Sequence, residues 1–358
     1  MWSMSFTDPP PTMPCPVDLR ESLLRERDEG KGRIRVEREE IEKVKSQASE
    51  KQDGEFISPL TLGPSDPAGT ISVARLVDAY RQEYGIDVTG YLPDSETIDR
   101  RRCRETGLLF FSPRGLAGPP KFYAELYSGD EEEWAYQNEK WEFVTARRLI
   151  AGANRVLDIG CGGGAFLDAL EGDVISRFGL ETSPFGREQA QGRGLEVFDE
   201  TIGDHVEGHR NQYDAVTAFQ VLEHVDDPRG FISSCVEVLK PGGTLVLSVP
   251  NQDAFLRHCD LQVLNLPPHH VTLWPRSSLV SVAELFALEL VWLEAEALQN
   301  DITGWFQSVL EERYLAQSRA LRWLYYRLGG SAVVRRAIEE NRENIDGHTI
   351  LAAYRKPA

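Results

Sequence analysis

The sequence predicts an α/β fold, a doubly wound sheet with helices on both faces, and three observations predict it. The first is Arg155–Leu167 (RVLDIGCGGGAFL), a short apolar run, a glycine turn and a helix start. The second is the alternation that follows, with apolar strand-like runs at 174–181, 196–198, 213–219 and 244–249 separated by helical stretches. The third is Leu239–Thr244 (LKPGGT), whose proline and glycines mark a sharp turn just before a strand.

Taken from the N-terminus, residues 1–55 pass from a Pro-rich leader into a mixed-charge tract that reads as a charged, flexible arm. Residues 56–131 read as a small accessory domain. From Thr70, Ile71, Val73, Ala74, Leu76, Val77 and Tyr80 lie on one helical face before Gly85. Two strand-like runs follow at 98–103 and 108–112. Residues 132–358 form the main domain, entered through a helix at 132–150 that carries Trp134, Trp141, Phe143 and Leu149. Residues 290–297 and 348–354 supply two more strands. Between them Trp305, Phe306, Val309, Leu310, Tyr314 and Leu315 recur near helical period, which predicts a helical insertion at about 303–344.

Composition narrows the functions. With 358 residues and 41% hydrophobic content the chain can bury a sizeable core. A formal charge of −18 repels phosphate backbones and anionic membranes, so a nucleic-acid partner is not expected. The five cysteines include no C-x-x-C pair, which argues against both a disulfide framework and a structural zinc site. Residues 1–17 lack a basic start followed by an apolar core, and no run reaches the roughly 20 apolar residues of a membrane span. The expectation is a cytoplasmic protein.

The ligand at the glycine turn is decided by one acid. Gly160, Gly162 and Gly164 let the backbone approach a ligand and present N–H groups at a helix mouth. Gly160-x-Gly162-x-x-Ala165 also fits a loose dinucleotide fingerprint, but an acid at the end of the first strand would face the pyrophosphate. Asp158 suits a ligand that carries an ammonium group. Asp158-x-Gly160-x-Gly162 resembles motif I of class I S-adenosylmethionine (SAM)-dependent methyltransferases. Residues 213–225 (YDAVTAFQVLEHV) resemble motif IV of the ubiquinone-biosynthesis O-methyltransferase-like branch, ending in its Leu-Glu-His-Val signature.

The resemblance implies a seven-stranded Rossmann-like sheet whose last strand is antiparallel, and SAM as cofactor. It places Asp158, Gly160, Cys161, Gly162 and Gly164 around the methionine end, Glu181 on the ribose hydroxyls, Thr201 and Ile202 at the adenine, and Phe219 and Gln220 beside the cofactor. Some members of the branch bind a divalent ion through an acid where this chain has Gln220, together with the Glu-His pair, so no metal is expected here. Glu223 and His224 are then either catalytic or a helix-start acid and its packed neighbour. Residues 265–274 (NLPPHHVTLW) hold adjacent histidines on a proline-stiffened approach. In similar sugar methyltransferases a Glu-His or His-His pair here supplies the general base, which points to His270, with His269 as its alternative. The accessory domain resembles a zinc ribbon whose knuckle survives only as Cys103-Arg104-Glu105-Thr106-Gly107, a metal-free remnant over the active site. Tyr123, Tyr127, Tyr136 and Trp141 are candidates to line the mouth.

The expected function is methyl transfer from SAM to a small-molecule acceptor, a hydroxyl of a sugar, lipid precursor or secondary metabolite. Two alternatives remain: a catalytically inactive SAM-binding regulatory or assembly subunit, and an NAD-dependent oxidoreductase, which Asp158 disfavours. The helical insertion offers a surface for an oligomer.

Overall fold

The structure is a computed structural model, and it describes residues 56–126, 140–258, 262–299, 302–315 and 318–358. Its contacts divide the chain into Met1–Gly54 and Glu55–Ala358, the second of which is the described part. The charged arm, Trp134, Tyr127, Tyr136 and the beginning of the helix expected from residue 132 lie outside the described residues.

The accessory region opens with strand β1 (Ser65–Ser72), helix α1 (Val73–Tyr84), strands β2 (Thr97–Cys103) and β3 (Leu109–Ser112), and helix α2 (Pro120–Leu126). The helix expected from Thr70 starts three residues later. Ile71 pairs with Ile98 across the β1–β2 ladder, and the Ser72 side chain then caps α1 by accepting from the Arg75 N–H at 3.4 Å. Gly85, at φ +70°, closes that helix in the left-handed conformation.

Helix α3 (Trp141–Leu149) leads into β4 (Arg155–Ile159), α4 (Ala165–Ala169), β5 (Ser176–Leu180), α5 (Pro184–Gly192), β6 (Glu196–Phe198), α6 (Ile202–His209), β7 (Tyr213–Phe219), α7 (Pro228–Val238) and β8 (Leu239–Pro250). The Pro-Gly segment before the fifth main-sheet strand is absorbed into β8 as an irregularity: Tyr213 faces Leu239, whereas Ala215 already faces Thr244. The two-residue strand β9 (Thr272–Leu273), α8 (Arg276–Leu285) and β10 (Glu289–Ala297) come next. The insertion follows as α9 (Thr303–Leu315), α10 (Arg319–Arg327) and α11 (Gly330–Asn341), before β11 (Asp346–Arg355).

The strands make two sheets. The larger has seven strands in the order β10-β11-β8-β7-β4-β5-β6. Its β4, β5, β6, β7 and β8 pair in parallel, and β11 runs antiparallel between β8 and β10. This is the doubly wound sheet with a reversed last strand that the sequence implied. Val156, Leu157, Ala215, Val216, Leu245, Val246 and Leu247 are fully buried, as central strands covered on both faces require. The smaller sheet, β1-β2-β3-β9, is antiparallel and takes its last strand from far downstream. Behind it Leu76, Tyr80, Phe122, Val263, Leu266 and Leu273 share one core. The segment between β8 and α8 is thereby held by both sheets.

Candidate active site

The site lies at the carboxyl ends of β4, β5, β7 and β8, where a doubly wound sheet leaves a crevice. After β4 the chain turns through Gly160, Gly162 and Gly164, all at positive φ. A methyl group on Gly160 would come 2.6 Å from Val221 Cγ2, and one on Gly164 would come 2.3 Å from Leu195 Cδ1, so both positions need glycine for space as well as conformation. The Gly160 and Cys161 N–H groups donate to the Leu180 carbonyl at 2.8 and 3.1 Å, pinning the turn to β5. Cys161 offers the site only its main chain, because its thiol packs over Gly179.

Three carboxylates gather around this turn. Asp158 ends β4, is only 3% exposed, and accepts from the Thr217 hydroxyl at 2.7 Å. Glu181 follows β5 and accepts from the N–H groups of Gly162 at 2.8 Å and Ser183 at 2.7 Å. Glu142, on α3, is buried and accepts from the Ser248 hydroxyl and, at 3.0 Å, from the Gln220 amide. Burial pushes the Asp158 carboxyl up to about 8, and the charges of Glu142 and Glu181 add to that shift. The charges acting on Asp158 are thus other acids.

Such a cluster fits a cationic ligand. Asp158 is the acid singled out in motif I, and Glu181 stands where a ribose-binding acid is expected. Glu142 was missed, because its helix reads as an aromatic-bearing amphipathic segment and nothing local marks the acid as inward-facing. The remaining expected contacts are arranged differently. Thr201 uses its hydroxyl to cap α6, in a reciprocal pair with Asp204, and Ile202 is buried. Phe219 packs against Phe166 and Phe143, with ring centroids 4.7 and 5.0 Å away. Gln220 takes φ +55°, which turns the chain out of β7.

A second cluster forms where the residues after β7 meet the 265–274 segment. The Val271 N–H donates to the Glu223 carbonyl at 2.9 Å, which locks the two stretches together. His224, His269 and His270 present ring nitrogens within 4.8 Å of one another, a donor set that can hold a metal ion. Each imidazole has Nδ1 against an oxygen: His224 at 2.7 Å from the His269 carbonyl, His269 at 2.8 Å from the Leu264 carbonyl, and His270 at 3.0 Å from Asn265 Oδ1. Donation from Nδ1 leaves the lone pair on Nε2. Tyr123 of α2 adds its hydroxyl 3.1 Å from His224 Nδ1. Asn265 was not foreseen, since an amide in a loop carries no signal until its histidine partner is placed.

Glu223 sits between the histidines. It is 2% exposed, with Oε1 3.9 Å from His224 Nε2 and 4.0 Å from His270 Nε2. Neither carboxyl oxygen has a hydrogen-bond partner among the described residues. Burial raises its pKa well above the usual carboxylate range, and the charge of Glu142 adds to this. Burial also pushes His224 down to about 4, His269 to about 3 and His270 well below its usual value, so all three are neutral near pH 7.

A parallel sheet with one reversed strand, a glycine turn beside an acid and a carboxylate-lined crevice at the strand ends define a doubly wound domain. In comparison with known proteins, residues 134–293 match a family model described as a methyltransferase domain. The ubiquinone biosynthesis O-methyltransferases of Salmonella enteritidis PT4 and Salmonella gallinarum are each 34% identical over 117 residues, which is 31% of this chain and 48% of theirs. The chain therefore spans about half the length of the curated relatives it matches. Among solved structures, a SAM-dependent methyltransferase from Archaeoglobus fulgidus is 19% identical, with a TM-score of 0.43 over 66% of this chain and 99% of that one. The N-methyltransferase NodS from Bradyrhizobium japonicum, in complex with S-adenosyl-L-homocysteine, is 16% identical, with a TM-score of 0.43 over 67% of this chain and 100% of that one. Residues 134–293 are thus similar to a methyltransferase domain.

Proposed function

We propose that this protein transfers a methyl group from SAM to a hydroxyl of a small-molecule acceptor. The observation that carries the proposal is the set of carboxylates at the strand ends, Asp158, Glu142 and Glu181, gathered around a glycine turn. A ligand bearing an ammonium and a sulfonium offsets that charge, whereas a dinucleotide would add to it.

In this reading Asp158 and the main chain of residues 160–164 hold the amino-acid end of SAM, Glu181 its ribose, and residues 199–202 its adenine. When bound, SAM supplies an electrophilic methyl carbon on a sulfonium. The chain then needs to align the acceptor oxygen, keep water out and take up a proton. His270 is the base. Its Nδ1 is committed to Asn265, its Nε2 bears the lone pair, and burial keeps it neutral. Glu223, 4.0 Å from that Nε2 and held uncharged by burial, can offset the positive charge that forms on the imidazole only by giving up its own proton. His269 and His224, anchored by their own Nδ1 contacts, shape the pocket around it, and Tyr123 brings the accessory region to its edge. General-base assistance contributes about 10²–10⁴-fold when the base's pKa lies near the operating pH, and the lowered pKa of His270 puts it at the foot of that range.

The test is turnover of labelled SAM against hydroxylated metabolites, nucleotide sugars and lipid precursors, with His270→Ala beside the wild type. The proposal requires an acceptor-dependent release of S-adenosyl-L-homocysteine that His270→Ala lowers at least 100-fold while SAM binding persists. SAM binding without turnover on any acceptor class favours the alternative, a regulatory or assembly subunit.

A further inference from the structure

Helix α10 does not fit the remainder of the surface. Its sequence, Arg319–Arg327 (RALRWLYYR), carries three arginines and no acid, in a chain whose formal charge is −18. Its apolar residues face outward: Trp323 is 65% exposed, Leu328, just beyond the helix, is 73% exposed, and Leu321, Leu324 and Tyr326 are about half exposed. A short helix with this much bare apolar surface lacks the covering that ordinarily stabilises it.

The charges show which covering fits. Arg335 and Arg336 on the neighbouring α11 are neutralised by Glu339 and Glu340, one turn along, at 3.0 and 2.7 Å. Arg319, Arg322 and Arg327 have no ion pair among the described residues, and with Trp323 and Tyr326 they line an open surface groove. Leu321, Leu324 and Leu328 fall at i, i+3 and i+7, so they form a stripe beside the arginine-aromatic face. Leucines on one side, and arginines interleaved with Trp323 and Tyr326 on the other, are the arrangement of a helix lying in a bilayer interface. There the leucines enter the acyl boundary, the aromatic rings sit at headgroup level, and the arginines meet lipid phosphates.

We propose that α10 docks the protein on the surface of an anionic lipid bilayer. A second copy of the chain is the weaker occupant, since a two-fold contact through this face sets three unneutralised arginines against the same three. A polynucleotide would match the arginines and leave the leucine stripe bare. The overall negative charge does not forbid the contact, because screening over about 8 Å at physiological salt makes the local patch decisive. The insertion is rooted on the catalytic-domain side: Phe255, just after β8, stacks edge-on against Trp305 of α9 with centroids 4.6 Å apart. The docking face therefore belongs to an insertion that packs on the segment just after the carboxyl end of β8, where the crevice lies.

The experiment is co-sedimentation of the full chain with vesicles of phosphatidylcholine alone and of phosphatidylcholine with 30% phosphatidylglycerol, at about 0.1 M salt. No SAM or acceptor is present, so the result is independent of the methyltransferase reading. The wild type should bind the anionic vesicles and far less of the neutral ones. Each arginine near the surface is worth about a 5-fold change, so Arg319→Glu/Arg322→Glu/Arg327→Glu should weaken binding by on the order of 100-fold or more. Leu321→Ser/Leu324→Ser/Leu328→Ser should weaken binding to both compositions. Circular dichroism and melting of both variants at wild-type values exclude misfolding, as expected for exposed positions. Equal binding by wild type and arginine variant, no binding to either vesicle, a dimer that the leucine variant dissociates, or single-stranded DNA bound as tightly as the vesicles would each overturn the proposal.

Discussion

Asp158→Asn should remove a pH dependence from SAM binding and at the same time make the ligand-free protein more stable. With its carboxyl pushed up to about 8, Asp158 is roughly one-tenth ionised at pH 7. A ligand that presents an ammonium group to it must first expel a proton. The wild-type affinity should therefore rise about tenfold per pH unit from pH 6 toward pH 8. Above about 8 the ligand's own α-amino group loses its charge, so affinity peaks there. The stability linkage has the opposite sign. An acid whose folded pKa lies above its unfolded value of about 3.9 destabilises the fold as pH rises between the two. That penalty is absent near pH 4, grows by about 1.4 kcal/mol per unit, and reaches on the order of 5 kcal/mol above pH 8 as an upper bound. Asn avoids it, so at pH 8 the variant should melt higher than the wild type without ligand, by several degrees and at most on the order of 10 °C. Titration calorimetry in two buffers of different ionisation enthalpy reads the released proton, and melting curves at pH 5.5 and pH 8 read the stability. A wild-type affinity that is flat between pH 6 and 8, with no proton release, refutes the reasoning.

Glu142→Gln removes one of the charges that raise Asp158, so the rise in SAM affinity with pH should move to lower pH; a titration series in which it stays in place refutes that coupling. Gly164→Ala meets both a positive φ and Leu195 Cδ1 at 2.3 Å, and should cost about 1–3 kcal/mol in chemical denaturation. Asn265→Leu leaves the His270 Nδ1–H without its acceptor and frees the ring's tautomer; kcat should fall at least 10-fold with SAM affinity unchanged, and an unchanged kcat would show that the tautomer is immaterial. Tyr354→Phe removes a buried bond of 2.7 Å to the Leu279 carbonyl and should destabilise by about 1–2 kcal/mol, leaving SAM affinity as it was.

The main sheet was legible because its signals are local. Val156, Leu157 and Ile159 form an apolar run, glycines follow, and the same pattern returns at 213–219 and 244–249, so strand positions came out within a few residues. The reversed final strand was legible only through resemblance, since nothing in residues 346–355 states which neighbours they join. β1 was invisible for a physical reason: SDPAGTIS has a proline and a glycine, poor strand formers, and Pro67 and Thr70 flank an irregularity in its pairing. The histidines were legible by adjacency and by the prolines before them. Glu223 could be named from its motif, but its place among three imidazoles depends on β9 pairing with β3, a contact between residues more than 150 positions apart in sequence. Glu142 and Tyr123 act through partners 78 to 146 positions away, and Asn265 through a histidine five positions on whose ring is placed only by the folded loop, so no periodicity encodes them.

Pairing of β9 with β3 also bears on how this protein can be taken apart. The two histidines sit in a strap that leaves the seven-stranded sheet at Pro250 and is fastened at its far end twice, Trp274 bridging Asn251 just past β8 and Thr272 and Leu273 pairing with Phe110 and Leu109 of the small antiparallel sheet. Tyr80 tightens the strap by donating to the carbonyls of Val263 and Leu266. A truncated chain beginning near Lys140 would retain Glu142 and the rest of the carboxylate crevice and lose the fastening, leaving the two histidines with no fixed address. The N-terminal sheet is in that sense a tensioning frame for the histidine strap, and the two halves of residues 56–358 are not interchangeable modules.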